Sequence, residues 1–242
     1  MNEQGHHAIV VPAPGPGFQD HVVAHHFDTP EQEFQACKLG FWLFLATEIL
    51  LFGGLFTAYF YFHELYPETF RQGGRQLDWR LGTLNTTVLL ISSWTMAMGV
   101  RSAQTSQKRK TMLFLALTVL GALIFMCVKF IEYRAKLEHG LLPVFGGFYE
   151  SSTGVLQWFT DHDAKMAGVP HGPLFFALYF TMTGIHGLHV LIGAGLIVWI
   201  MFGVKKGRYH AGHYLPVDLV GLYWHLVDLI WIFLFPLLYL VP

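Results

Sequence analysis

Charge is scarce in this chain. Only 13% of its 242 residues are Asp, Glu, Lys or Arg, about half the share found in ordinary soluble domains. Hydrophobic residues make up 53% and aromatic residues 16%. With a mean hydropathy of +0.43, this balance excludes a typical soluble domain and indicates a membrane protein. The formal net charge is −1, so there is no basic field to bind nucleic acid and no acidic field for a basic ligand. Cysteine is nearly absent. Cys37 precedes the first apolar run and Cys127 lies deep in the third, so they are expected not to pair, which excludes a disulfide scaffold. The opening "MNEQGHHAIVVPAPGPGFQD" has no basic start followed by an apolar core, so the first spanning helix is expected to direct insertion itself.

Long hydrophobic runs, by contrast, are plentiful. Five are long enough to cross a hydrocarbon core that takes about 20 helical residues; they fall near 41–62, 83–103, 111–131, 173–203 and 217–240. The pattern predicts an all-α integral membrane bundle of five transmembrane helices over 39–242, preceded by an extended polar arm over 1–38. His6, His7, His21, His25 and His26 read as solvated residues of that arm. No internal repeat is present. On one side of the predicted bundle lie Lys38, Arg101, Lys108, Arg109, Lys110, Lys205, Lys206 and Arg208; on the other lie Arg71, Arg75, Arg80, Arg134, Lys136 and Lys165, interleaved with acids, and Lys129 is left inside the third span. The first side carries the larger share, which predicts the N-terminus inside and the C-terminus outside.

Polar side chains at membrane depth cost several kcal/mol unless paired, so those that occur there stand out. In "FWLFLATEILLFGGLFTAYFYF", Phe41 to Phe62, one carboxylate, Glu48, sits about two turns in, and Gly53 and Gly54 after it let another helix approach. In the fourth span "TGIHGLHV" places His186 and His189 three residues apart on one helical face, and in the fifth "YWHLVDLIW" repeats the spacing with His225 and Asp228. The five residues read either as a proton relay or metal site, or as polar glue between packed helices. The glue reading predicts that His186, His189, His225 and Asp228 form one interhelical cluster joining the fourth and fifth spans. No metal is expected here, because histidine-rich metal boxes lie near the membrane surface and these histidines do not. Glu48 is expected to be buried against another helix, protonated or paired, with either a proton- or dioxygen-related role or a purely structural one. Tyr59, Trp79 and Tyr239, near helix ends, read as an interfacial belt.

The segments "LFLATEILLFGGLFTAYF", "LNTTVLLISS", Glu132 with Tyr133, "GIHGLHVLIG" and "YWHLVDLIWIFLFPLLY" occur in this order over most of the chain. Together they resemble subunit III of haem-copper cytochrome oxidases, in its short, five-helix bacterial form. The resemblance implies a helical subunit with no catalytic centre, haem, copper or other cofactor of its own, packed in the bacterial inner membrane against subunit I of a proton-pumping terminal oxidase. Haem and copper would reside in partner subunits. It implies that Glu48 is the acid of the family that hydrophobic carbodiimides modify, and that the subunit supports proton uptake, active-site durability, phospholipid binding and a route for dioxygen. The quinol-oxidising branch tends to carry Asp at the Glu48 position, which points to cytochrome c as reductant. A subunit III-like accessory protein of a nitric oxide reductase system, or a freestanding membrane metalloenzyme, are the alternative readings.

Longer members of that family carry two further helices before the Glu-bearing one, where this chain has only its polar arm, so a lengthened subunit I or another chain would supply them. The segment from His139 to Pro170 also exceeds the shortest family versions and is expected to meet a partner on the outer face. A basic family position aligns with Lys206, and another falls on Gly203. Lys205, Lys206 and Arg208 are expected to hold an anionic phospholipid whose phosphate lies near Lys206 and whose tails run along an aromatic face that includes Trp42 and Phe44.

Overall fold

Helix α1 (Pro30–Leu65) starts where local chemistry favours a start: the Thr29 hydroxyl accepts from the Gln32 amide at 3.2 Å, Pro30 occupies the first turn, and Glu31 and Glu33 face the positive end of the helix dipole. The computed structural model describes residues 29–138, 149–150, 156–157, 172–209, 211 and 213–240. The sequence places the arm boundary at 38, but Pro30 to Lys38 is already helix, because the cap is at Thr29; the rest of the arm lies outside the described residues. After α1 come α2 (Pro67–Gly74), α3 (Trp79–Gln104), α4 (Lys108–Glu138), α5 (Gly172–Lys205) and α6 (Leu215–Phe235), which continues as a π-helical turn over Pro236–Leu240. Between α4 and α5, Tyr149–Glu150 and Leu156–Gln157 pair as two short antiparallel strands; the remainder of the His139–Pro170 excursion is outside the described residues.

Among the described residues, four helical stretches are long and apolar enough to cross a membrane: Glu31–Leu65, Lys108–Lys136, Leu174–Lys205 and Leu215–Leu240. The expected second span, α3, has the length but is more polar. Its hydroxyls are satisfied within the helix: Thr83, Thr86 and Thr87 donate to the carbonyls of Trp79, Gly82 and Thr83, and Ser92 to that of Leu89. Such back-bonding lets hydroxyl residues sit on a packed helix face.

Helices α3, α4, α5 and α6 form a four-helix bundle in which each packs on two others, and α1 lies outside it against α5 and α6. Small residues bring α3 and α4 close together. A Cβ on Gly121 would meet the Ser92 Cβ at 2.8 Å, and the Thr95 and Thr118 hydroxyls share a 2.8 Å hydrogen bond. Helix α6 runs antiparallel to α3, with Ser92 opposite Trp224 and Thr86 opposite Trp231. Large apolar side chains such as Trp42, Leu43, Leu50, Trp94, Phe130 and Phe202 point outward, as a hydrocarbon solvent permits. Cys37 and Cys127 are both free and exposed.

At the end of the bundle where α3, α5 and the lysines meet, the turns are closed tightly. Ser106 takes a left-handed φ of 56° and its hydroxyl accepts from the Ala211 amide at 2.9 Å. Gly207, at φ 74°, ends α5 while the Arg208 amide donates back to Gly203. At the opposite end α2 folds under α5, with Phe70 edge-on to both Tyr59 and Phe175. Gly121→Leu is expected to force α3 from α4 and destabilise the subunit by about 1–3 kcal/mol. Gly195→Leu is expected to be neutral, because a Cβ at Gly195 meets nothing within 4 Å. Thermal loss of helicity in detergent compares the two.

Candidate functional site

Three polar constellations lie at membrane depth. In the first, Glu48 on α1 meets His189 on α5, with Oε2 and Nε2 2.8 Å apart and both side chains mostly buried, 16% and 13% exposed. The Nδ1 of His189 lies 2.7 Å from the Ile185 carbonyl. A carbonyl only accepts, so Nδ1 carries a hydrogen. One further proton then lies between Glu48 and His189, either as a neutral acid donating to a neutral imidazole or as a carboxylate accepting from an imidazolium. The pair is neutral overall in both forms, which suits hydrocarbon, and a proton transferred between the two would leave that net charge unchanged. Phe52 packs edge-on to the imidazole, and the Tyr223 hydroxyl donates to the His189 carbonyl.

The second constellation comprises the other expected members of the histidine and aspartate cluster, and the structure distributes them. His186 Nε2 donates to the Val227 carbonyl at 3.1 Å. His225 Nδ1 shares a 2.7 Å hydrogen bond with Ser93 on α3. Asp228 is 3% exposed and close enough to Ser93 to interact with it, yet neither carboxylate oxygen has a hydrogen-bond partner among the described residues. His186, His189, His225 and Asp228 therefore do not bond to one another. The i, i+3 spacing puts each pair on one face, but neighbours on α1 and α3 as well as backbone carbonyls compete for them. Among the described residues no three His, Cys, Asp or Glu side chains gather as a metal site.

A third constellation is the largest, and most of it was not singled out from the sequence. Lys129, Glu132 and Lys136 follow one another at i, i+3 and i+7 on α4, all nearly buried. The Lys129 ammonium donates to Glu132 at 2.9 Å, to Tyr239 at 2.8 Å and to Tyr179 at 3.3 Å. The Tyr239 hydroxyl in turn donates to Glu132 at 2.7 Å, and Lys136 sits 3.6 Å from the same carboxylate. Nearby, the Tyr133 and Thr183 hydroxyls are bonded to each other. Tyr239 reaches the network because Pro236 cannot donate to the helical ladder and α6 widens into its π turn. Two residues expected in an interfacial belt are thus internal: Tyr239 belongs to this network, and Tyr59, 1% exposed, donates to the Leu237 carbonyl at 2.8 Å. Trp79 is 55% exposed at the start of α3. The sequence signal for the network was Lys129 itself, an ammonium inside a span with an acid one turn away.

At the lysine-rich end, Lys205, Lys206 and Arg208 are exposed, and Lys108 donates to the Lys205 carbonyl at 2.7 Å. The Tyr209 ring lies where a Cβ of residue 203 would stand, which explains why this chain has Gly203 and no basic side chain there. Burial pushes the Tyr209 phenol above its ordinary range, and Arg208 partly offsets this. Trp42 and Phe44 are exposed on α1, with Phe44 stacked on Tyr223.

A bundle of long apolar helices whose polar groups are held in interhelical contacts defines a multi-pass membrane protein. The cytochrome c oxidase subunit III family model matches residues 23–159 and 166–241, so the chain belongs to that family. It is thereby subunit III of a haem-copper terminal oxidase, one part of an oxidoreductase complex. Relatives include a probable quinol oxidase subunit 3 of Staphylococcus haemolyticus (strain JCSC1435), 27% identical over 214 residues that cover 88% of this chain and 93% of the relative. The cytochrome c oxidase subunit 3 of Thermostichus vulcanus is 31% identical over 207 residues, covering 84% and 86%. That of Synechocystis sp. (strain ATCC 27184 / PCC 6803 / Kazusa) is 29% identical over 200 residues, covering 82% and 73%.

Removing one partner of a buried ion pair strands the other in a low-dielectric interior. Lys129→Met is expected to cost about 3–5 kcal/mol, seen as earlier thermal loss of helicity in detergent. Removing the whole triad, with Glu132→Leu and Lys136→Met added, is expected to restore much of that loss because no buried charge is then left unpaired; a triple variant as unstable as the sum of the singles would show that the residues act independently.

Proposed function

We propose that the chain is the non-redox subunit III of a proton-pumping cytochrome c oxidase in aerobic respiration, crossing the bacterial inner membrane five times with its N-terminus inside. In this reading haem and copper reside in partner subunits, and this chain supports proton uptake, holds phospholipid and stabilises subunit I. The observation that carries the proton role is the 2.8 Å contact between Glu48 and His189, between which a proton could pass without creating a net charge. Five crossings are supported by chain continuity. Helices α1 and α6 run parallel, with Phe44 beside Tyr223 and Phe56 beside Phe233, and α3 is antiparallel to α6, so α3 returns the chain between α1 and α4. Glu48, where the quinol-oxidising branch tends to carry Asp, favours cytochrome c as reductant.

Purification through a tag on this chain is expected to bring with it haem- and copper-containing subunits that oxidise reduced cytochrome c. Recovery of the chain without them, or of a complex that accepts electrons only from quinol, would overturn the assignment. Glu48→Gln keeps a hydrogen-bonding group beside His189 but removes the carboxyl proton. It is expected to leave electron transfer largely intact and to slow proton uptake severalfold in reconstituted vesicles.

The lipid role rests on register. With Glu48 opposite His189, Trp42 stands opposite residue 195, about 15 Å along the helix axis from Lys205. That depth suits an acyl chain whose phosphate is held by Lys206 and its neighbours. Native mass spectrometry of the complex is expected to show fewer retained anionic lipids when Lys205, Lys206 and Arg208 are all changed to Ala. An unchanged count would leave these residues as topology signals.

A further inference from the structure

One ring nitrogen of His225 is answered and the other is open. Nδ1 shares the 2.7 Å hydrogen bond with Ser93 on α3, whereas Nε2 has no hydrogen-bond partner among the described residues. The ring is half-buried, and Nε2 reaches the surface of the bundle. It does so at membrane depth. His225 stands about 15 Å from the start of α6 at Leu215 and about 22 Å from Leu240. Phospholipid headgroups lie at the edges of a hydrocarbon core roughly 30 Å thick, too far from Nε2 to bond to it, and an acyl chain has nothing to offer a polar nitrogen.

The neighbours of His225 decide what Nε2 presents. Asp228, one helical turn further along α6, lies close enough to Ser93 to interact with it, so the Ser93 hydroxyl stands between an acid and an imidazole. A protonated Asp228 donates to Ser93, the Ser93 hydrogen goes to Nδ1, and the neutral ring then carries its hydrogen on Nε2. An ionised Asp228 is balanced by an imidazolium, in which both ring nitrogens carry hydrogen. A carboxylate beside a neutral ring with a bare Nε2 would instead leave a net charge in hydrocarbon, which is costly. Both balanced arrangements make Nε2 a donor.

The surface around that donor suits a helix better than lipid. Of the five long helices described, α3 alone falls short of the apolarity of a span. Ala97 and Thr83 lie within about a quarter turn of Ser93 around its axis, and both are exposed; small and hydroxyl residues of this kind let a second backbone come close. On α6, Leu229 and Ile232 follow His225 by one and two turns, 49% and 42% exposed. We propose that this α3–α6 face is the docking surface for a transmembrane helix of another subunit of the oxidase, which sets a hydrogen-bond acceptor against His225 Nε2. The proposal rests on the reading that the chain works inside a terminal oxidase complex. It is independent of the Glu48–His189 pair, which joins α1 to α5.

A photoreactive phenylalanine analogue placed at Leu229 in the native host, and irradiated in intact membranes, tests the surface. It is expected to link to a different membrane chain, within about one helical turn of an Asp, Glu, Asn, Gln, Ser or Thr in a transmembrane helix, as mapped by mass spectrometry. A link only to lipid, to a second copy of this chain, or to a helix without such a side chain would overturn the proposal. His225→Leu is expected to lower severalfold the amount of haem-containing subunit recovered in detergent through a tag on this chain. His225→Gln, which keeps a donor at similar reach, is expected to restore it. Undiminished recovery with a His225→Leu variant of unchanged helicity would also overturn the proposal. Haem-containing subunits missing from the unaltered preparation would count against the oxidase assignment instead, while the Leu229 link reads the surface by itself.

Discussion

Hydrocarbon supplies no hydrogen bonds, so a polar side chain carried to membrane depth has to be answered from within the protein. Lys129 shows the constraint at its strongest. Its ammonium has three hydrogens, and three oxygens meet it, from Glu132 on its own helix, Tyr179 on α5 and Tyr239 on the π turn. To deliver the last of these, α6 ends at Phe235 and a proline opens the backbone. The position of the chain's final turn is thus tied to one ammonium on α4. The same requirement shapes α3, whose hydroxyls bond to its own carbonyls or to α4 and α6, so that a comparatively polar helix still packs among apolar ones.

Apolar burial provides little drive for helix association in lipid, since the tails are as apolar as leucine. Helix α1 shows how a peripheral helix is then held. Little of it is buried, and many of its large side chains face outward. Its fixed points are polar or aromatic: Phe44 on Tyr223, Glu48 on His189, Phe52 against the same imidazole, and Tyr59 on the Leu237 carbonyl. The carboxyl to which the proton role is assigned is therefore also one of the main attachments of its helix. Charge and position are coupled at that residue.

Much of the fold was legible in the sequence because hydropathy and length suffice for long helices. The five expected runs coincide with α1, α3, α4, α5 and α6, but hydropathy alone passes over their polar ends: α1 begins at Pro30 where the run begins at 41, α4 continues to Glu138 where the run stops at 131, and the last five residues of the fifth run are a π turn. Helix α2 falls between the first two expected runs and belongs to neither, although Pro67 and Glu68 are starting signals, because eight residues give too short a period to recognise. Partners were less legible. His186, His189, His225 and Asp228 stand out in the sequence as polar groups in apolar runs, but which helix answers each depends on rotation about every helix axis, and spacing along one helix does not contain that. The same holds for Tyr59 and Tyr239. An aromatic residue near a helix end is equally consistent with a membrane interface and with an internal network, and only the neighbouring elements decide.

The basic residues carry a related lesson about orientation. At the α2 end, Arg71 is bridged to Glu68, Arg134 is engaged, and Lys136 is nearly buried beside Glu132. At the other end Lys206 and Arg208 stand exposed, beyond the last turn of α5. Lys129 and Lys136 share the single carboxylate of Glu132, so this stretch of α4 carries one net positive charge where its lysines number two. Exposed lysines with no such acid keep their full cost of crossing and their attraction to anionic headgroups. The two ends of the bundle therefore differ in how their basic residues are held, paired with acids or buried at the α2 end and exposed at the lysine-rich end.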